Sequence, residues 1–247
     1  MIDSFSILAL SAAAVVFAGV SKGGFGSGAS FASASMLALV MPPGQALGLL
    51  LPLLMLIDVA SLKPYWRKWD VRQTWMLCLA AVPGVSFGAL FYTMVNEDGL
   101  RLLIGLVSLG FVIWQLRPRG VVGNIRLPMW AGCLAGFAGG FTSFVSHAGG
   151  PPVAVYLLSL GLRKTTYQAT TVLVFWCVNV MKAVPYAFLG IFTVETLLTD
   201  LVLVPFAFLG TWLGVKAHYA VSERVFFALT YLLLTATGCK LIWDAMT

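Results

Sequence analysis

Five stretches of this chain, residues 74–92, 100–116, 170–191, 197–215 and 225–243, stay apolar for close to the ~20 residues that a membrane-spanning helix needs. None alternates apolar with polar residues, as the strands of a membrane β-barrel must. Of the 247 residues 60% are hydrophobic and 10% are charged, where a soluble domain carries roughly 25% charged residues. The expected fold class is therefore an all-α integral membrane protein. Met1-Ile2-Asp3-Ser4 supplies no basic lead, so the apolar stretch 5–20 reads as a retained segment rather than a cleaved signal.

Basic residues set the expected topology. Eleven of the fifteen Lys and Arg lie at 63–72, 117–126, 163–164 and 216–224, and acidic connections at Asn96-Glu97-Asp98 and 195–200 separate them. Basic loops favour the cytoplasm, which accounts for the net charge of +6 without invoking nucleic acid. Residues 74–92 then run outward and 100–116 inward, while 170–191, 197–215 and 225–243 run outward, inward and outward. Segment 127–164 begins and ends inside, and segment 1–43 begins and ends outside, so both termini are expected outside the cytoplasmic membrane. Each half holds two short elements and three long ones, giving ten helical elements, or about eight spans if each short pair counts once. The expected division is a first repeat at 1–116, a cytoplasmic linker at 117–126 and a second, inverted repeat at 127–247.

Weak matches between the halves agree with a duplication. Gly44-Gln45-Ala46 and Tyr167-Gln168-Ala169 each precede a third element, and Pro83 with Gly88 recurs as Pro205 with Gly210. Val95-Asn96-Glu97 recurs as Val221-Ser222-Glu223, and Ile113-Trp114 as Ile242-Trp243. Two scaffold copies facing opposite ways supply related conformations open to either side of a membrane, the plan of many secondary transporters.

The short elements are broken by glycine at corresponding places. Residues 5–20 run into Ser21-Lys22-Gly23-Gly24-Phe25-Gly26-Ser27-Gly28, and 29–41 follow; 129–141 lead into Thr142-Ser143-Phe144-Val145-Ser146-His147-Ala148-Gly149-Gly150-Pro151-Pro152. The segments 29–41 and 153–162 are too short to cross a ~30 Å hydrocarbon core at ~1.5 Å per residue. Prolines suit a helix start, which puts the second short helix near Pro151. Two re-entrant hairpins are expected, their tips meeting at mid-membrane with half-helix N-termini and free N–H groups turned toward an anion. Lys22 would add positive charge there, and Ser21, Ser27, Ser143 and Ser146 hydroxyl donors. Glycines 23, 24, 26, 149 and 150 would let a ligand approach the backbone, beside Phe25. Gly132 and Gly136 fit close helix packing instead. If the first hairpin were two full spans, Lys22 would be an ordinary loop lysine.

Asp58 and Lys182 are further charges inside apolar runs, and such residues are candidates for function. They sit at nearly matching places in the two third elements, so a charge pair between them is expected, with Asn179 on the same helix as Lys182. Gln45 and Gln168 begin those elements and would line a cavity. His147 reads equally as an orienting hydrogen-bonder or a proton-titrating group. Cys78, Cys133, Cys177 and Cys239 stand singly in apolar runs, so neither a disulfide framework nor a metal site is expected. No HExxH, GxSxG or Walker pattern occurs. The expectation is a non-enzyme without cofactor, acting on a small anion within the lipid bilayer; a homodimer stays open.

The loop Gly19-Val20-Ser21-Lys22-Gly23-Gly24-Phe25-Gly26, the Gln-Ala start of each third element and the stretch from Gly139-Gly140 to Ser146-His147-Ala148-Gly149-Gly150-Pro151-Pro152 resemble the sulfite exporter TauE/SafE family, also called the toluenesulfonate uptake permease family. The resemblance covers essentially the whole chain. It implies an inner-membrane permease that exports sulfite, an organosulfonate or a similar sulfur oxyanion. An inside-negative potential, worth about 2.3 kcal/mol per charge per 100 mV, favours export of a monoanion by roughly fiftyfold. Proton-coupled sulfonate uptake is the alternative, with His147 or Asp58 carrying the proton. A membrane assembly factor or a lipid-acting enzyme is the competing class and would cluster its polar groups at one interface.

Overall fold

The apolar runs are helical over nearly their whole length in a computed structural model that describes residues 4–25, 30–116, 126–220 and 223–247. Helix α1 (Ser4–Val20) continues into a π-helical turn (Ser21–Phe25), followed by α2 (Ala32–Leu37) and α3 (Pro43–Leu62), which closes on a 3-10 turn (Lys63–Tyr65). Then come α4 (Val71–Met94), α5 (Glu97–Gln115), α6 (Met129–Ser146), α7 (Gly150–Ser159), α8 (Lys164–Phe188), α9 (Val194–Ala220) and α10 (Glu223–Met246). Among the described residues there is no strand. Gly26, Ser27 and most of the linker expected at 117–126 lie outside the described residues.

Local chemistry sets the helix starts. Asp70 and Asn96 accept hydrogen bonds from the amides of Gln73 and Gly99 at 3.0 and 2.9 Å, each capping the helix that follows. Thr193 and Thr196 do the same reciprocally ahead of α9, at 3.1 Å in both directions. Pro43 opens α3 and Pro151 stands in the first turn of α7, where a missing N–H costs nothing.

The molecule is turned inside out relative to a soluble protein. Trp75, Leu79, Leu201 and Leu232 are each more than 60% exposed, while Asp58, Lys182, Ser108 and Thr170 are fully buried. Such an apolar exterior suits lipid. Among the described residues five helices are long and apolar enough to cross a membrane: Ser6–Phe25, Pro43–Tyr65, Val71–Met94, Lys164–Phe188 and Val194–Ala217. The first of these is longer than the sequence reading expected, because the π-helical turn brings α1 to the length of a span where half of a re-entrant hairpin was expected. The helix expected over 29–41 shrinks to the six residues of α2, about 9 Å long; α7, with ten, reaches about 15 Å.

Glycines let the long helices touch at their backbones. A Cβ on Gly19 would lie 2.7 Å from Gly210 and one on Gly214 2.6 Å from the Val20 carbonyl, so α1 and α9 run side by side in the same direction. α4 and α6 do likewise, from Gly132 against Met76 at one end to Gly88 against Phe144 at the other, and a Cβ on Gly84 would lie 2.1 Å from the Phe137 carbonyl. By contrast α5 and α10 run antiparallel, with Gly105 against Gly238 and Phe111 against Tyr231. So do α3 and α8, where Asp58 meets Asn179 and Gly48 meets Ile191 just beyond α8. The first helix of each half thus packs on the fourth of the other half, while third meets third and fifth meets fifth.

Gly84→Leu drives a side chain into backbone and is expected to lower stability by about 1–3 kcal/mol. Gly110, whose Cβ would meet nothing within 4 Å, should gain about 0.5–1 kcal/mol on changing to Ala. Thermal unfolding of the purified variants in detergent checks the pair, and equal midpoints would refute the glycine contacts.

Candidate functional site

The two glycine breaks deliver one polar side chain each to the centre of the bundle. At the first, α1 widens into its π-helical turn where Gly23 and Gly24 press on α9; their Cβ atoms would lie 2.7 Å from the Thr211 carbonyl and 2.3 Å from that of Gly214. π-helical turns recur at functional sites. Lys22, only 3% exposed, donates from Nζ to Asp58 Oδ1 at 2.7 Å. Asp58 Oδ2 accepts from Asn179 Nδ2, also at 2.7 Å. The Lys22 carbonyl accepts from Gln168 Nε2 at 2.9 Å.

At the second break α6 ends on His147, whose left-handed backbone (φ 54°) turns the chain toward α7. His147 Nε2 lies 3.1 Å from the Leu47 carbonyl, and Nδ1 lies 2.8 Å from Lys182 Nζ. A carbonyl can only accept, so Nε2 carries the ring proton and Nδ1 accepts from the lysine. The imidazole is therefore neutral in this network. Lys182 also donates to the Ser143 carbonyl at 3.0 Å, and Tyr186 Oη to that of Phe144 at 2.5 Å.

The two clusters correspond. Val20-Ser21-Lys22-Gly23-Gly24 aligns with Val145-Ser146-His147-Ala148-Gly149, a repeat that the sequence reading passed over. Lys22 meets Asp58 on α3, and His147 meets Lys182 on α8, the equivalent helix. Each break also touches the start of the opposite third helix, through Gln168 on α8 and Leu47 on α3. Their chemistry differs: Lys22 is paired with the Asp58 carboxylate, whereas Lys182 Nζ faces an imidazole nitrogen and a carbonyl and has no carboxylate partner.

Several expectations change in this geometry. Asp58 forms its ion pair with Lys22, not with Lys182, because the π-helical turn carries Lys22 onto α3. Lys22 is thereby neutralised, and Gly23 and Gly24 serve close packing on α9, not an open backbone. Gln168 is buried while Gln45 is exposed at the start of α3. Ser21, Ser143, Ser146, Gly149 and Gly150 are buried and Phe25 half-buried. The Ser146 hydroxyl is occupied, donating to the Thr142 carbonyl at 2.8 Å. Gly149 fits closely against the Gly139 carbonyl, 2.5 Å from where its Cβ would stand.

Beyond Gln168, toward the basic end of the bundle, a cavity of about 660 Å³ is lined by Arg67, Lys68, Trp69, Asp70, Arg163, Thr165 and Thr166. Asp70 N donates to Thr170 Oγ1 at 2.9 Å, tying this rim to α8.

A lipid-facing helical bundle with ionisable side chains sealed at broken helices defines a polytopic membrane permease in class. The chain belongs to the sulfite exporter TauE/SafE family, whose sequence profile matches residues 11–241. Members of that family are transporters. No curated protein and no solved structure matches the chain.

Lys22→Met leaves the Asp58 carboxylate buried without its counter-charge and is expected to cost about 3–5 kcal/mol. Lys22→Met with Asp58→Leu should recover most of that loss. A double-mutant cycle on thermal midpoints measures it, and additive losses would contradict the pairing.

Proposed function

We propose that this protein exports a small sulfur oxyanion, sulfite or an organosulfonate, across the cytoplasmic membrane, binding it beside Lys182. The observation that carries the proposal is the Lys182 side-chain nitrogen, which is fully buried yet has no carboxylate among its hydrogen-bond partners. It is directed to the Ser143 carbonyl and to His147, with the Tyr186 ring 5.9 Å away, and an arriving anion would favour its protonated form. An oxyanion would supply both the missing acceptor and the missing charge.

The surrounding design supports translocation rather than storage. We take residues 1–116 and 127–247 as inverted repeats, a reading favoured by the exchanged helix pairings and by the matched breaks. Lys22, Asp58, His147 and Lys182 are all buried, so the present conformation is closed to both sides. Opening toward the basic cavity would admit an anion from the cytoplasm, where basic loops belong, and Arg67, Lys68 and Arg163 would concentrate it there. The same rearrangement in the opposite half would release it outside.

Lys182→Gln keeps a hydrogen-bond donor and removes the charge. Loss of a charge-assisted bond worth ~1.5–3 kcal/mol predicts a fall of about tenfold or more in sulfite efflux from proteoliposomes. Cys239→Ser, on the exposed face of α10, should leave flux unchanged. Wild-type efflux in a folded Lys182→Gln protein would sink the proposed site.

A further inference from the structure

The buried side-chain atoms with no hydrogen-bond partner among the described residues are the Ser61 hydroxyl and both carboxylate oxygens of Asp200. A lone hydroxyl on a helix is a small matter, but a carboxylate is not. Asp200 is 5% exposed and lies one turn before Leu203 on the face of α9 that packs on α1 and α3. Leu203 and Ala207 on that face join Ala14, Val15, Leu49, Leu50 and Leu53 in one apolar cluster. Being the seventh residue of α9, Asp200 is too far along to cap the helix, and Thr193 already does so.

The charged groups on the elements packed against α9 are few. α1 and α2 carry no titratable residue; the π-helical turn contributes Lys22 and α3 contributes Asp58. These two pair with each other beside Thr211, eleven residues along α9 from Asp200, which is about 16 Å. On α9 itself Glu195 is exposed, and Lys216 lies still farther along, at the opposite end. Among the described residues no counter-charge reaches Asp200. A carboxylate in such surroundings needs a proton or a cation. A metal cation would want several oxygen ligands, and the apolar cluster provides none. A proton needs only the carboxylate.

We propose that Asp200 is the proton-binding residue of this permease and that its proton is exchanged in step with passage of the anion. The inference rests on the transport reading above and departs from the residues that the sequence suggested for coupling. Both oxygens of Asp58 are taken by donors, and both nitrogens of His147 are engaged. To lose its proton Asp200 must reach water, which moves the first turns of α9 off α3. α9 also clamps the π-helical turn through Thr211 and Gly214, so such a shift is transmitted to Lys22 and the charged centre.

Two measurements on the full-length protein test this separately. In lipid nanodiscs, with no anion added, infrared difference spectroscopy should show a protonated-carboxyl C=O band at neutral pH that Asp200→Asn abolishes. In sulfite-loaded proteoliposomes, corrected for leak with protein-free vesicles, a pH gradient of one unit should shift the steady-state sulfite ratio about tenfold. Asp200→Asn should retain sulfite exchange at equal pH and lose this response. Its thermal midpoint should equal or exceed that of the wild type; Asp200→Leu serves if the Asn variant fails to fold. Absence of the band, a wild-type gradient response in the variant, or a sodium dependence abolished by it would overturn the proposal. So would a lowered midpoint in both variants, which would mark a structural carboxylate. A wild-type protein that shows the band but moves no sulfite would overturn the choice of substrate while upholding the proton site.

Discussion

A lysine enclosed by helices in a bilayer has no water to compensate its charge, and its partners decide both what the bundle tolerates and what it can bind. Lys22 meets that requirement with Asp58, whose second oxygen is filled by Asn179. Lys182 has a histidine and a carbonyl and no carboxylate. Desolvating an ion costs several kcal/mol, so a buried lysine without a carboxylate partner is a candidate for function. The helix breaks put these groups in contact: the π-helical turn brings Lys22 to Asp58 on α3, and the turn at His147 brings its ring to Lys182 on α8.

The two clusters share one construction with different contents. In each, a Val-Ser-X segment at a helix end sends its third residue to a helix of the same half and makes a second bond to the helix of the other half. Swapping the residue types replaces an ion pair with a lysine that has no carboxylate partner. On the proposed reading, one half would hold the bundle together and the other would receive the anion. Close glycine contacts between α1 and α9, and between α4 and α6, keep both breaks pressed against their neighbours.

Much of the fold was legible in the sequence because bilayer thickness dictates helix length and charges sit in loops. The long runs, the short α7 starting at Gly150 and the polar break at His147 all follow from such rules. The span length of α1 was not legible, since four glycines in six residues argue against helix, whereas a π-helical turn keeps Lys22 and Gly23 helical against α9. The pairing of Asp58 was misread because matching positions in the two third elements suggested Lys182, and the turn that carries Lys22 to α3 was not foreseen. Asp200 drew no notice beside Glu195 in an acidic connection, because only packing reveals that its carboxylate faces Leu203's side of the helix. The match of Ser21-Lys22 with Ser146-His147 was visible all along, hidden by the unlike side chains that follow each serine.

The most direct test of a sulfur-oxyanion site is to see where such an anion rests. A structure of the protein soaked with selenite, a heavier mimic of sulfite, should show an anomalous selenium peak with an oxygen in hydrogen-bond range of Lys182 Nζ, and that peak should vanish in Lys182→Gln. A peak confined to the basic cavity by Arg67 and Arg163, unchanged by the substitution, would contradict the account.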